Sequence, residues 1–229
     1  MAFLLGAVFL AGCTKAPDAK AVDGGSQGQS SGVAVSQGKP VEPKVMGWMA
    51  EAEDLKAKGR FAESVSVYEK VIKERPDLAE PYFRLGVLFF NLGLSSKSEE
   101  YYLKAIEKDF RNPEIYFHLG YIKESEGKSQ EALEWYLKAE EKGVGSAELY
   151  FNIGNVFVRL GNQDRAVDYY KKAISVNPGH VDAFINLSII SFQKAQFADA
   201  SFYLDKAREL GYVPPPDYLN ALASKAMGK

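Results

Sequence analysis

The side chains that most often carry out catalysis are few in this chain. The two histidines, His118 and His180, belong to no HExxH pattern, and Cys13 is the single cysteine, so neither a zinc-protease motif nor a cysteine-based metal cluster can form. No glycine-rich phosphate loop and no nucleophile elbow occurs. The sequence therefore predicts a protein that is not an enzyme and needs no metal or cofactor.

The overall composition restricts the class of partner. Apolar residues make up 46% of the chain and charged residues 25%, as in an ordinary folded protein. The formal net charge is −2, without the basic stripe that a phosphate backbone requires. Nucleic-acid binding is disfavoured, and the expected partner is another protein or a peptide.

Cys13 lies at a sharp change in composition. Residues 2–12 are apolar or small, and the chain becomes polar directly after the cysteine. Such a run is too short to cross a bilayer and has the length of a signal-peptide core. The residues Leu10-Ala11-Gly12-Cys13 resemble a bacterial lipobox, which implies a lipoprotein signal peptide over residues 1–12 and acyl chains such as palmitate on Cys13. The alternative is an unmodified cysteine after an apolar start.

Residues 13–44 are predicted to form a disordered linker. Residues 14–44 contain five Gly, four Ser and three Gln but no aromatic residue, so they cannot bury enough apolar surface to fold. A flexible coil of this length spans roughly 30 Å. With the lipid anchor, the linker predicts a domain tethered to a membrane of the bacterial cell envelope and facing the periplasm. The resemblance to bacterial lipoproteins implies the outer membrane, because the residue after the cysteine is Thr14 and not aspartate.

From Val45 onward the chain repeats itself every 34 residues. Large rings and small residues recur in register, and glycines recur at positions 59, 93, 127 and 161, with Ala195 in the fifth place. Five repeats are predicted, at residues 45–78, 79–112, 113–146, 147–180 and 181–214. Residues 215–229 are predicted to form a capping helix and tail, because Tyr218 stands one repeat length after Phe184.

Each repeat is predicted to contain two helices. In the fourth, Tyr150, Ile153, Gly154 and Phe157 are spaced i, i+3, i+4, i+7 and share one helical face, and Gly161 separates them from a second amphipathic segment. This pattern resembles the tetratricopeptide repeat, which residues 147–180 match almost position for position. The resemblance implies an all-α fold, an α-solenoid of five helix-turn-helix repeats plus the C-terminal capping helix.

The resemblance also implies that the first helix of each repeat lines a concave groove. Asparagine amides there would pair with a ligand backbone, rings would cover its side chains, and Arg84 or Arg159 would bind a carboxylate. The alternative is that these residues reflect only the average composition of the family. The candidate groove residues are Phe83, Arg84, Phe117, His118, Tyr121, Phe151, Asn152, Asn155, Arg159 and Asn186.

Together these features predict a non-enzymatic scaffold for protein–protein interaction, a lipid-anchored protein that binds a partner during assembly of an envelope complex. Two alternatives remain open. The chain could be a regulatory subunit that recruits or activates a cell-wall or polysaccharide enzyme, or a structural protein that self-associates through its end repeats. The sequence does not determine the partner or the oligomeric state.

Overall fold

The computed structural model describes residues 40–226, and these residues divide into two compact units, 40–115 and 116–226. The predicted signal peptide, Cys13 and all but the last residues of the predicted linker lie outside the described residues. Every regular element in the described part is an α-helix. None of these helices is long and apolar enough to cross a membrane.

The first unit consists of two helix pairs. Consecutive helices pack on each other in chain order. The first helix starts at Pro43, slightly before the predicted repeat, because proline at the first helical position sacrifices no hydrogen bond. The four helices are α1 (Pro43–Ala57), α2 (Phe61–Glu74), α3 (Ala79–Asn91) and α4 (Ser95–Glu107).

The second unit contains three further pairs and a closing helix. From α6 onward each helix packs on the next one along the chain. The first of these helices begins just before the unit boundary. The helices are α5 (Glu114–Ser125), α6 (Ser129–Glu141), α7 (Ala147–Arg159), α8 (Gln163–Val176), α9 (Val181–Gln193), α10 (Phe197–Glu209) and α11 (Pro216–Ala226).

Within a pair, the helices meet where a small residue of the first helix faces a large ring of the second. In the fourth repeat a Cβ atom built on Gly154 would lie only 2.6 Å from Cε1 of Tyr170, so the close approach depends on glycine. The same contact recurs in the second and third repeats. The tyrosines at this position, each at most 1% exposed, are Tyr68, Tyr102, Tyr136 and Tyr170.

Buried serines add a second contact between the paired helices. Ser64 Oγ donates a hydrogen bond to the Ala52 carbonyl at 2.8 Å. In the last pair the direction is reversed, since Ser188 Oγ on the first helix donates to the Ala200 carbonyl at 2.7 Å. These hydroxyls are fully buried but satisfied, so they stabilise the pair instead of weakening it.

Helix α11 covers the end of the last pair. Its Leu222 is 5% exposed, and the Tyr218 ring meets Phe192 edge-on at 5.6 Å between centroids. The Tyr218 and Ser188 hydroxyl oxygens are 2.8 Å apart. Helix α11 thus buries an apolar surface that would otherwise face water. The predicted fold class, an all-α series of helix pairs with a closing C-terminal helix, is confirmed.

Candidate functional site: a polar strip on the first helices

The ten candidate groove residues belong to both units. Phe83 and Arg84 lie on α3 in the first unit, and the other eight lie on α5, α7 and α9 in the second. The candidates therefore form two sets of side chains, one in each unit.

In the first unit, Phe83 is a packing residue. It is 6% exposed, its ring stacks on Phe110 with centroids 4.3 Å apart, and it is tilted against Tyr102 at 5.8 Å. A ring enclosed in this way cannot cover a ligand side chain. The expectation that Phe83 lines a binding surface is corrected, because Phe110, in a place where this repeat family usually has proline, supplies the covering ring.

Arg84 is held by two carboxylates of its own unit. Its Nε donates to Glu80 Oε1 at 2.7 Å and is 3.8 Å from Glu53 Oε1. Burial raises the pKa of Glu53, but hydrogen bonds from Lys56 and Tyr68 and the charges of Lys56 and Arg84 outweigh it, so the pKa is lowered overall. Glu53 is thus an anion at neutral pH, and the Arg84 charge is compensated within the protein.

In the second unit, Phe117 and Phe151 cover the buried tyrosines of their own repeats. Their rings are tilted against Tyr136 and Tyr170 at centroid distances of 5.7 and 5.6 Å. Phe151 also contacts the His180 ring at 4.6 Å. Both phenylalanines are half-buried, so part of each ring remains accessible.

His118 does not face solvent. It is 3% exposed, and burial lowers its pKa to about 4, so it is neutral at physiological pH. The expectation that His118 lines a binding surface is corrected, since its side chain is packed inside the protein. Tyr121, one turn further along α5, is half-buried and stays accessible.

Three polar candidates share one face of α7. Asn152, Asn155 and Arg159 are spaced i, i+3, i+7. Asn155 Oδ1 accepts hydrogen bonds from Tyr170 Oη at 2.7 Å and from Asn186 Nδ2 at 3.3 Å. Asn186 Nδ2 is also 3.1 Å from Tyr170 Oη. Two repeats thus contribute amides to one cluster, built on the polar end of a buried tyrosine.

A second cluster joins α7 to two side chains of the preceding repeat. Tyr136 Oη donates to Glu124 Oε2 at 2.6 Å, and Arg159 Nη2 donates to Glu124 Oε1. Asn152 hydrogen-bonds to Tyr136, whose pKa is raised well above its usual value by burial. The phenol therefore stays protonated and keeps donating. We call Glu124, Asn152, Asn155, Arg159 and Asn186 the polar strip.

The amides of the polar strip can form additional hydrogen bonds. In the orientation above, the Asn155 amide nitrogen and the Asn186 amide oxygen have no partner among the residues that the structure describes. If both amides are turned over, the free groups become the Asn155 oxygen and the Asn186 nitrogen. Either way the strip offers one donor and one acceptor, which matches the N–H and C=O groups of a peptide backbone.

Glu124 and the tyrosine hydroxyls are absent from the site residues predicted from the sequence, although a buried tyrosine hydroxyl needs a hydrogen-bond partner. Comparison of the repeats contains a signal for Glu124. The equivalent positions in the neighbouring repeats hold Phe90, Val158 and Phe192, so a carboxylate there departs from an apolar position. No group of three or more His, Cys, Asp or Glu side chains in the described region could hold a metal ion.

Family models for the tetratricopeptide repeat match four stretches of the chain. They cover residues 52–93, 79–110, 101–134 and 147–180. The helix pairs and the strip define a helical-repeat protein, and these matches show that the repeats are tetratricopeptide repeats. No curated protein matches the chain by sequence.

Solved structures share the fold. MamA, known from a crystal structure, shares 27% sequence identity with this chain at a TM-score of 0.65. The match covers 69% of this chain and 93% of MamA. YrrB, described as a tetratricopeptide-repeat protein with an unusual peptide-binding site, is 22% identical with a TM-score of 0.64, covering 78% and 90%. PilW, a type IV pilus biogenesis factor, is 18% identical with a TM-score of 0.59, covering 82% and 88%. The fold and repeat class are those of protein–protein interaction scaffolds.

Proposed function

We propose that this chain is a lipid-anchored scaffold of the bacterial cell envelope that holds an extended peptide segment of a partner protein along the polar strip. The cluster of Asn155, Asn186 and Tyr170 carries the proposal, because its bonds of 2.7–3.3 Å fix two amides beside each other with a donor and an acceptor to spare. The proposal includes no catalytic step.

The energetics of such binding follow from the fixed geometry. Each net hydrogen bond to a peptide contributes about 0.5–1.5 kcal/mol. Because the two amides are already held by Tyr170 and by each other, a ligand loses little free energy in ordering them. Phe151 and Tyr121 lie on helices that carry strip residues, and both are half-buried rings that could cover apolar ligand side chains.

The cellular setting is part of the proposal and depends on the sequence pattern at Leu10–Cys13. Acylation of Cys13 would place the repeats at the periplasmic face of the outer membrane, at the end of a tether of roughly 30 Å. A domain held there would meet partners that are being assembled in or on that membrane. The likeness to PilW concerns the fold alone, so it identifies no partner for this chain.

Capture of partners from envelope membranes tests the function. Full-length wild-type protein and the double variant Asn155→Ala/Asn186→Ala would be compared as baits in detergent extracts. Because the variant removes the spare donor and acceptor, we expect it to retain at least tenfold less of the partner that the wild-type protein captures, measured by quantitative mass spectrometry.

The matched control is Asp168→Ala/Lys171→Ala, two exposed positions on α8 outside the polar strip. It should capture the partner as well as the wild-type protein does, and all three proteins should have the same circular dichroism spectrum. Equal capture by the strip variant would place the binding surface elsewhere and refute the proposal.

A further inference from the structure

Both arginines among the candidate residues are neutralised by carboxylates. In the first unit Arg84 lies 2.7 Å from Glu80 and 3.8 Å from Glu53. In the second unit Arg159 forms an ion pair with Glu124. The carboxylates that neutralise the two arginines are different residues in different units. Each unit therefore shows independently an arginine whose charge is compensated by a carboxylate.

The ion pair of Glu124 and Arg159 is partly shielded from solvent, and Tyr136 holds the Glu124 carboxylate from a second side. The Glu124 side chain is 14% exposed and that of Arg159 is 34% exposed. Tyr136 Oη donates to the other carboxylate oxygen at 2.6 Å and so favours this orientation of the Glu124 side chain. Charge-assisted hydrogen bonds in such partly buried surroundings are about twice as strong as neutral ones. Arg159 is therefore tied to a partner that is itself fixed.

We infer that Glu124 is a specificity-determining residue that makes the polar strip select internal, uncharged peptide segments and reject chain-terminal carboxylates. This inference rests on the proposed peptide-binding function. A ligand carboxylate at Arg159 would have to share the guanidinium with Glu124 and would face the like charge that Tyr136 holds there. An internal backbone segment bound to Asn155 and Asn186 meets no such repulsion.

The substitution Glu124→Gln tests the inference. Glutamine keeps an oxygen acceptor for Tyr136 and removes the charge that neutralises Arg159. Full-length wild-type and Glu124→Gln protein would be probed with one mixed-sequence decapeptide library, made once as free acids and once as C-terminal amides. We expect no preference for the acids in the wild-type protein and a preference of about tenfold in the variant.

Two further variants show whether the effect passes through Arg159. The double variant Glu124→Gln/Arg159→Gln should lose the preference for acids. The control Glu148→Gln removes an exposed carboxylate from the first turn of the same helix α7 and should behave like the wild-type protein. A wild-type protein that already prefers acids, or a Glu124→Gln variant that does not, would overturn the inference.

A second measurement does not depend on peptide binding. Acetate would be titrated against both proteins while the Arg159 Nε–H signal is followed by nuclear magnetic resonance. The variant should respond at acetate concentrations about tenfold lower than the wild-type protein, and equal responses would refute the role of Glu124. If neither protein binds any peptide, the proposed function fails, while the acetate titration still decides the inference.

Discussion

At the scale of single residues, Tyr136 and Tyr170 each have an apolar end and a polar end with different tasks. The ring of Tyr170 fills the space beside Gly154, while its hydroxyl fixes Asn155 and Asn186. Tyr136 does the same with Gly120 and Glu124. The packing of the helix pair and the geometry of the polar strip therefore depend on the same side chains.

Substitution of Gly154 by alanine should destabilise the protein. The added methyl group would lie 2.6 Å from the Tyr170 ring, and overpacking of this kind costs about 1–3 kcal/mol. In the first repeat, Ala52 occupies the position equivalent to Gly154 and lies in one buried cluster with Tyr68. A methyl group is therefore accommodated in that repeat but not beside Tyr170. Urea unfolding measures the effect.

The control for this substitution is Gly47→Ala on α1, where a Cβ atom would meet nothing within 4 Å. It should stabilise the helix by up to about 1 kcal/mol, because alanine is the better helix former. A loss of stability at Gly47, or none at Gly154, would contradict the packing described for the pair.

His118 should make the protein sensitive to acid. Its pKa is about 4 in the folded protein and about 6.5 in the unfolded chain. Below pH 6.5 the unfolded chain therefore binds more protons than the folded protein, and the stability decreases as the pH decreases. Between pH 7.5 and 4.5 this amounts to about 2.5 kcal/mol. Urea unfolding of the wild-type protein and of His118→Leu at both pH values checks this. The free energy of unfolding should decrease by about 2.5 kcal/mol less in the variant than in the wild-type protein. Equal decreases in the two proteins would refute a buried neutral histidine.

At the scale of elements, the connections between paired helices share one backbone conformation. Gly59, Gly93, Gly127 and Gly161 all have φ between +71° and +77°. In the last pair Ala195 occupies the same turn with φ of +58°. A side chain in this left-handed region is strained, which glycine avoids because it has no Cβ atom.

Ala195→Gly should therefore stabilise the protein by about 0.5–1 kcal/mol, the relief of strain exceeding the entropy that glycine gains when unfolded. The reciprocal change Gly161→Ala should destabilise by about 1 kcal/mol, because its φ of +77° is strained for a residue with a Cβ atom. Thermal unfolding of both variants measures these changes in stability. A destabilising Ala195→Gly with a stabilising Gly161→Ala would show that the turns are not equivalent.

At the scale of the whole molecule, the proposed protein consists of a binding domain and a lipid anchor that attaches it to a membrane. In the proposal, the membrane location depends on acylation of Cys13. Several acyl chains are needed for stable anchoring, since one chain binds only weakly and reversibly.

Cys13→Ser should move the protein from the membrane fraction to the aqueous fraction of disrupted cells. Labelling with radioactive palmitate should be present in the wild-type protein and absent from the variant, because serine offers no thiol for acylation. A wild-type protein that is already aqueous and unlabelled would contradict the lipobox prediction while leaving the peptide-binding proposal intact.

The sequence by itself determined the helix pairs and their number. The 34-residue period repeats a local pattern, and residues such as Gly154 and Tyr170 identify the same close contact wherever they recur. Helical faces and turn glycines act over a few neighbouring residues, so their spacing is visible in the chain. The fold was predictable for that reason.

Only the tertiary structure decided which candidate side chains remain available. Phe83 and His118 stand at the same repeat positions as Phe151 and Asn152, yet they are buried. The charge of Arg159 is compensated by a residue on a different helix. Burial and ion pairing depend on which side chains come within a few ångströms of each other when the helices pack. The spacing of residues along the chain does not show this.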